Sequence, residues 1–225
     1  MEEQTFDFEQ HYPCRLYREP EPNELFCIFA DHAEANDWCA AVALSKKHND
    51  CPLVFNEVME SSQFGYELNS MCKFLFDRTH IWPKLAVERN TGQATIFVLK
   101  TLNYQNLFRM VDFTSMSSHE GGGYGWQTTG HITGGELQGT RRKMLDDLAM
   151  SIRQGTINLY DREQIRQLQS FVYVKGRGQA EANKKDDYVI ATAGALQIAQ
   201  LTPDPDIDDY DEEEAKKKRE KWRFK

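Results

Sequence analysis

The sequence has no apolar run near the roughly 18 to 20 residues that a membrane span needs, and its start (MEEQTF) lacks the basic and then apolar stretch of a signal peptide. Neither a membrane location nor export is expected. Cysteine is sparse: Cys14, Cys27, Cys39, Cys51 and Cys72 are an odd number with no C-x-x-C pair. That excludes a disulfide framework and a cysteine-rich zinc site, and the five read as reduced thiols of a core. There is no G-x-x-x-x-G-K-[ST] loop, no internal repeat, and no ligand spacing among His11, His32, His48, His80, His119 and His131. Positive charge is in deficit, 27 Lys and Arg against 35 Asp and Glu, for a net of −8. A general nucleic-acid binder would be basic overall.

What is present is ordinary for a globular protein. Of 225 residues, 40% are apolar and 28% charged, enough for one medium domain with an appendage. The charge is unevenly spread. Residues 204–214 are almost continuously acidic and 216–225 are basic with one acid, Glu220, the pattern of a solvated tail. Between Thr140 and Arg166, by contrast, lie Arg141, Arg142, Lys143, Arg153, Arg162 and Arg166, so one face of the body can still be positive.

Residues 1–23 hold Pro13, Pro20 and Pro22 and are expected to be an extended lead-in. Residues 25–31 (LFCIFAD) then read as a buried strand ending in an acid, and 38–44 (WCAAVAL) and 53–60 (LVFNEVME) as two more, joined closely enough for an antiparallel meander. A helical period over 66–76 precedes a fourth strand at 84–88 (KLAVE), which again ends in an acid. A helix over 92–102 leads to a fifth strand near 107–111. Residues 114–135 read as a loop, 137–153 and 161–168 as helices, the latter capped by Asp161, and 171–174 as a short strand. The segment 185–201 (KDDYVIATAGALQIAQL) is apolar on most sides, which predicts a helix buried against the sheet and stopped by Pro203 and Pro205. The order predicts an α/β fold with a mixed sheet and helices on its faces.

The strand-end acids carry the chemistry. If the first and fourth strands are parallel neighbours, Asp31 and Glu88 meet at their carboxyl ends, and the pair Asp186 and Asp187, opening the last helix, is placed to approach the same edge. Converging carboxylates repel unless a cation neutralises them, and hard oxygen ligands suit Mg²⁺ or Mn²⁺. Two such ions roughly 3.5 to 4 Å apart would activate a water and stabilise a leaving oxygen in phosphodiester cleavage.

The segments 17–23 (YREPEPN), 29–37 (FADHAEAND), 85–90 (LAVERN), 125–129 (GWQTT) and 184–191 (KKDDYVIA), in this order and spacing, resemble the nuclease domain of tailed-phage terminase large subunits over about residues 15 to 201. The resemblance implies a ribonuclease H-like fold over 24–202, between the lead-in 1–23 and a charged tail at 203–225 expected to be disordered. It implies a metal-dependent endonuclease cutting double-stranded concatemeric viral DNA during genome packaging, in the host cytoplasm. Two Mg²⁺ or Mn²⁺ ions would be held by Asp31, Glu88, Asp186 and Asp187. A packaging ATPase domain or subunit, a portal and a small terminase subunit are the implied partners. Two residue-level departures stand out: the turn after Asp31 carries Asn36 where the family usually has glycine, and Lys185 stands where a His commonly precedes the acid pair. The family's ATPase domain also has no counterpart here, as expected of a nuclease fragment or of a motor encoded separately.

Beside the acids, Arg141, Arg142 and Lys143 start a helix against its dipole, which favours contact with DNA phosphates, and Lys185 would add charge beside the metals or the scissile phosphate. The run Gly121 to Gly125 is a candidate gating or DNA-positioning loop, Glu34 and Asp37 are candidate outer ligands, and His32 a candidate contact to the attacking water. Phe26, Phe29, Phe55, Phe74, Phe76 and Phe97 are expected in the core. The rival readings are a non-catalytic packaging module that docks on portal or motor, and another ribonuclease H-like nuclease of resolvase or transposase type.

Overall fold

The computed structural model describes residues 4–6, 14–32, 38–110, 123–133, 136–174 and 177–205. The turn at 33–37, with Glu34, Asn36 and Asp37, the segment 111–122, with Gly121, and the tail from 206 lie outside the described residues.

Three strands, β3 (Phe26–His32), β4 (Trp38–Ser45) and β5 (Asp50–Val58), form the expected antiparallel meander. Helix α1 (Ser61–Thr79) crosses over and returns the chain as β6 (Lys84–Val87), which pairs parallel to β3 from Cys27↔Lys84 to Ala30↔Val87. The first and fourth predicted strands are therefore parallel neighbours. Helix α2 (Gln93–Thr101) packs beside α1.

The lead-in is not outside the sheet. Its short strands β1 (Gln4–Phe6) and β2 (Cys14–Leu16) extend it past β5, giving the order β1-β2-β5-β4-β3-β6, with Cys14 and Leu16 buried. No complete strand forms at 107–111 among the described residues. Instead, Leu107 bridges to Leu85, while Trp126 bridges to Glu88, so two short segments share the free edge of β6. Gly125 makes that possible: its φ is +84°, and a Cβ there would sit 2.5 Å from the Val87 carbonyl oxygen.

The expected loop 114–135 contains half a hairpin, β7 (His131–Thr133) with β8 (Glu136–Gln138). Helix α3 (Thr140–Gln154) follows, then β9 (Asn158–Leu159), parallel to β5, and α4 (Arg162–Gln169). Asp161 caps α4 as predicted, accepting the Gln164 N–H at 2.7 Å. Strand β10 (Phe171–Val174) pairs with β11 (Arg177–Ala180) in a separate two-stranded sheet, and α5 (Asp187–Leu201) closes the fold.

Strand alternation sorts the core into two layers. Phe26, Ile28, Ala30, Ala41, Leu53, Leu85 and Val87 face α1 and α2. Cys27, Phe29, Ala40, Val42 and Ala86 face α3 and α5, whose Tyr188, Val189, Ala191, Ala195 and Ile198 are buried on the same side. Contact there is close: a Cβ on Gly194 would lie 2.2 Å from Phe29 Cγ, so glycine lets α5 reach β3. All five cysteines are buried, and burial raises the Cys27 and Cys72 thiols to about 12. Phe97 departs from expectation, 71% exposed on the outer side of α2. Its period places it opposite Ile96 and Leu99, which take the inner side.

Candidate active site

Register decides where the acids point. Asp31 shares the face of Cys27 and Phe29, one residue past the last β3–β6 pair, and Glu88 shares the face of Ala86; the Glu88 N–H donates to the Ala30 carbonyl at 2.8 Å. Both carboxylates thus project from neighbouring strand ends toward α5. Asp187, in the first turn of α5, arrives from that helix.

Low-polarity surroundings push the Asp31 carboxyl well above the usual range, and Glu88 pushes it further, both by its charge and by a hydrogen bond to Asp31. Asp187 adds repulsion, and Arg141 opposes it. Glu88 is 9% exposed, so water relieves little of this. The acid pair of α5 divides. Asp187 acts on Asp31, whereas Asp186, at the N-cap, makes no side-chain cap and pairs with Arg141 at 3.3 Å.

The predicted cations take different places. Arg141 reaches the acids from the start of α3. Arg142 and Lys143 pair along that helix with Asp146 and Asp147, which offsets their unfavourable position against the dipole. Lys185 Nζ stands 3.1 Å from the centroid of the ring of Trp38, the first residue of β4. His32 is not at the site. Having the parity of Ile28 and Ala30, it points to the opposite layer, where its Nε2 lies 2.6 Å from Ser61 Oγ.

The donor set fits a hard divalent cation: all three groups are carboxyl oxygens, Asp31 is hydrogen-bonded to Glu88, and Asp187 repels Asp31. As they stand, the described residues form no group of three or more His, Cys, Asp or Glu side chains close enough to enclose an ion. Arg141, paired with Asp186, is the cation that opposes the repulsion on Asp31. An apolar cavity of about 550 Å³ between α3, α4 and β10, lined in part by Leu145, Leu148, Leu168 and Phe171, contains none of these acids.

No protein-family model matches the sequence, and no curated protein matches it significantly. Solved structures do. The crystal structure of the large terminase nuclease from thermophilic phage G20c superposes with a TM-score of 0.61 at 15% identity, covering 86% of this chain and 92% of that one. The fold is that of a large terminase nuclease. The same G20c nuclease with bound magnesium gives a TM-score of 0.61 at 13% identity over 86% of this chain and 91% of that one. The Thermus phage P74-26 large terminase nuclease domain gives 0.58 at 14% identity over 85% and 88%. The ribonuclease H-like architecture implied by the short motifs is therefore present, although most side chains of the phage nucleases differ from those here.

Proposed function

We propose that the chain is a metal-dependent endonuclease that cleaves double-stranded concatemeric viral DNA during genome packaging by two-metal phosphodiester hydrolysis. The observation that carries this reading is the convergence of Asp31, Glu88 and Asp187 from two parallel strand ends and one helix start, on a fold shared with phage terminase nucleases. A silent scaffold has no use for carboxylates held against one another at a largely enclosed strand edge.

Asp31, Glu88 and Asp187 are the residues that would hold two Mg²⁺ or Mn²⁺ ions, with Asp186 outside them. When bound, such ions supply a nucleophilic water at neutral pH and charge stabilisation at the leaving oxygen. The protein does the rest. Asp31 and Glu88, fixed on adjacent strands of one sheet, hold their oxygens rigidly. Arg141, released from Asp186 by an incoming phosphate, and Lys185 at the rim contact the backbone beside the scissile bond, with Arg142 and Lys143 further along it. Backbone contacts of this kind carry no sequence information, in keeping with low cut-site specificity. We take the catalytic unit as residues 24–202, with β2 added at its edge, and place double-stranded DNA, a packaging ATPase domain or subunit, a portal and a small terminase subunit as partners in the host cytoplasm.

Incubating purified protein with supercoiled plasmid in Mn²⁺, in Mg²⁺ and in chelator tests the reading. Nicking and linearisation in metal alone are expected. No cutting in either metal, at high protein and low salt, would overturn it in favour of a non-catalytic packaging module.

A further inference from the structure

Fully buried polar side chains cluster in one place next to the acids, between α4 and the start of α5. Tyr188, 0% exposed and directly after Asp187, is held at three points. Its N–H donates to Gln167 Oε1 at 2.8 Å, its hydroxyl accepts from Arg15 Nη2 at 2.6 Å, and its carbonyl accepts from Thr192 Oγ1 at 2.5 Å. Behind these, Gln164 donates to Thr192 at 2.8 Å, and Asp161 receives the Tyr17 hydroxyl at 2.7 Å and Arg15 Nε at 3.1 Å.

An N–H in the first helical turn has no partner within its own helix, and the N-cap side chain usually supplies one. Here the N-cap residue, Asp186, makes no such bond because its carboxylate is turned to Arg141. The cap arrives from another helix: Gln167 of α4, 3% exposed, accepts the Tyr188 N–H in its place. This exchange frees Asp186 for Arg141 and ties the turn that carries Asp187 to the body of the protein.

We propose that Gln167 is a positioning residue for the acidic site, fixing the first turn of α5 through the Tyr188 N–H and so setting the Asp187 carboxylate against Asp31 and Glu88. The inference rests on the metal-binding reading above. Gln167→Leu removes the acceptor at similar volume, whereas Gln167→Glu restores one. Tyr17→Phe, which loosens the same cluster through Asp161 and leaves both Gln167 and the Tyr188 N–H in place, controls for stability.

Mn²⁺ binding to the intact chain, measured by calorimetry beside the Mn²⁺ dependence of plasmid cleavage, is the test. The Leu variant is expected to weaken Mn²⁺ binding by about tenfold, as for outer partners of metal ligands, and to recover most cleavage at saturating Mn²⁺. The Glu variant should bind as wild type does, and Tyr17→Phe should melt earlier with unchanged binding. A folded Leu variant with the wild-type Mn²⁺ constant would overturn the inference. Wild-type protein that binds no Mn²⁺ would overturn the metal reading and the inference with it. Should Gln167→Leu fail to fold, Gln167→Met, which removes the same acceptor at nearly the same side-chain length, must weaken Mn²⁺ binding in the same direction, and unchanged binding there overturns the proposal equally.

Discussion

Two carboxylate clusters sit on this sheet, and they are built to opposite ends. In the first, Arg18 grips Asp50 with Nε at 2.8 Å and Nη2 at 2.9 Å and Glu24 at 2.5 Å; Tyr160 and the Glu21 N–H satisfy further oxygens. Asp50 and Glu24 are 1% and 0% exposed, yet the forked guanidinium balances them. In the second, Asp31 and Glu88 are hydrogen-bonded to each other, Asp187 adds repulsion, and Arg141, which opposes it, is engaged with Asp186. Burial alone therefore does not mark a functional acid. What sets the second cluster apart is convergence without sufficient countercharge, the shortfall that a divalent cation would fill in the proposed function.

The contrast gives opposite outcomes for removing a charge. Arg18→Met strands two buried carboxylates and should have the largest effect, a loss of about 3 to 5 kcal/mol in urea unfolding. A change under ~1 kcal/mol would mean that cluster is not held as described. Within the acidic site the two aspartates of α5 should separate. Asp187→Asn is expected to lower metal-dependent plasmid cleavage by roughly 100-fold or more, against about tenfold for Asp186→Asn. Equal losses would erase the distinction between inner and outer acid.

Asp31→Asn should stabilise the metal-free protein, by about 1 kcal/mol or roughly 2 to 4 °C in Tm near pH 8, since it removes a mutually repelling charge. The sign follows from the raised carboxyl: protonated Asp31 is favoured in the fold, so that stability is full below the ordinary carboxylate range and is lost as pH climbs through the raised value. Thermal melts in chelator should accordingly show wild type falling against Asp31→Asn as pH rises, with Glu88, Asp187 and Arg141 as the facing groups. Smallest of all, Arg142→Ala removes an exposed pair with Asp146 and should cost only about 0.3 to 0.5 kcal/mol in the same melts.

Much of this was legible before any coordinates. The meander, the parallel β3–β6 pairing and the buried α5 rest on long apolar runs and strong periodicity, and the two strand-end acids followed from them. What escaped was short or set by tertiary context. Strands β9 and β11, of two and four residues, carry too little pattern of their own and exist through their partners, as does the hairpin of β7 and β8. Strands β1 and β2 were hidden in a proline-bearing lead-in. The roles of Asp186 and Asp187 are indistinguishable in sequence, because adjacent residues on a helix start differ only in direction. Gln167 gave no signal, since a glutamine on a short polar helix reads as surface until Tyr188 is seen above it.

If the proposed function is right, the acidic site is the seat of metal-dependent cleavage. The most direct test is plasmid cutting in Mn²⁺ by wild type and by Asp31→Asn, the variant shown to be folded by circular dichroism. Cutting by wild type that disappears in chelator and in folded Asp31→Asn is the predicted result; wild-type-level cutting by folded Asp31→Asn, or by wild type in chelator, would contradict it.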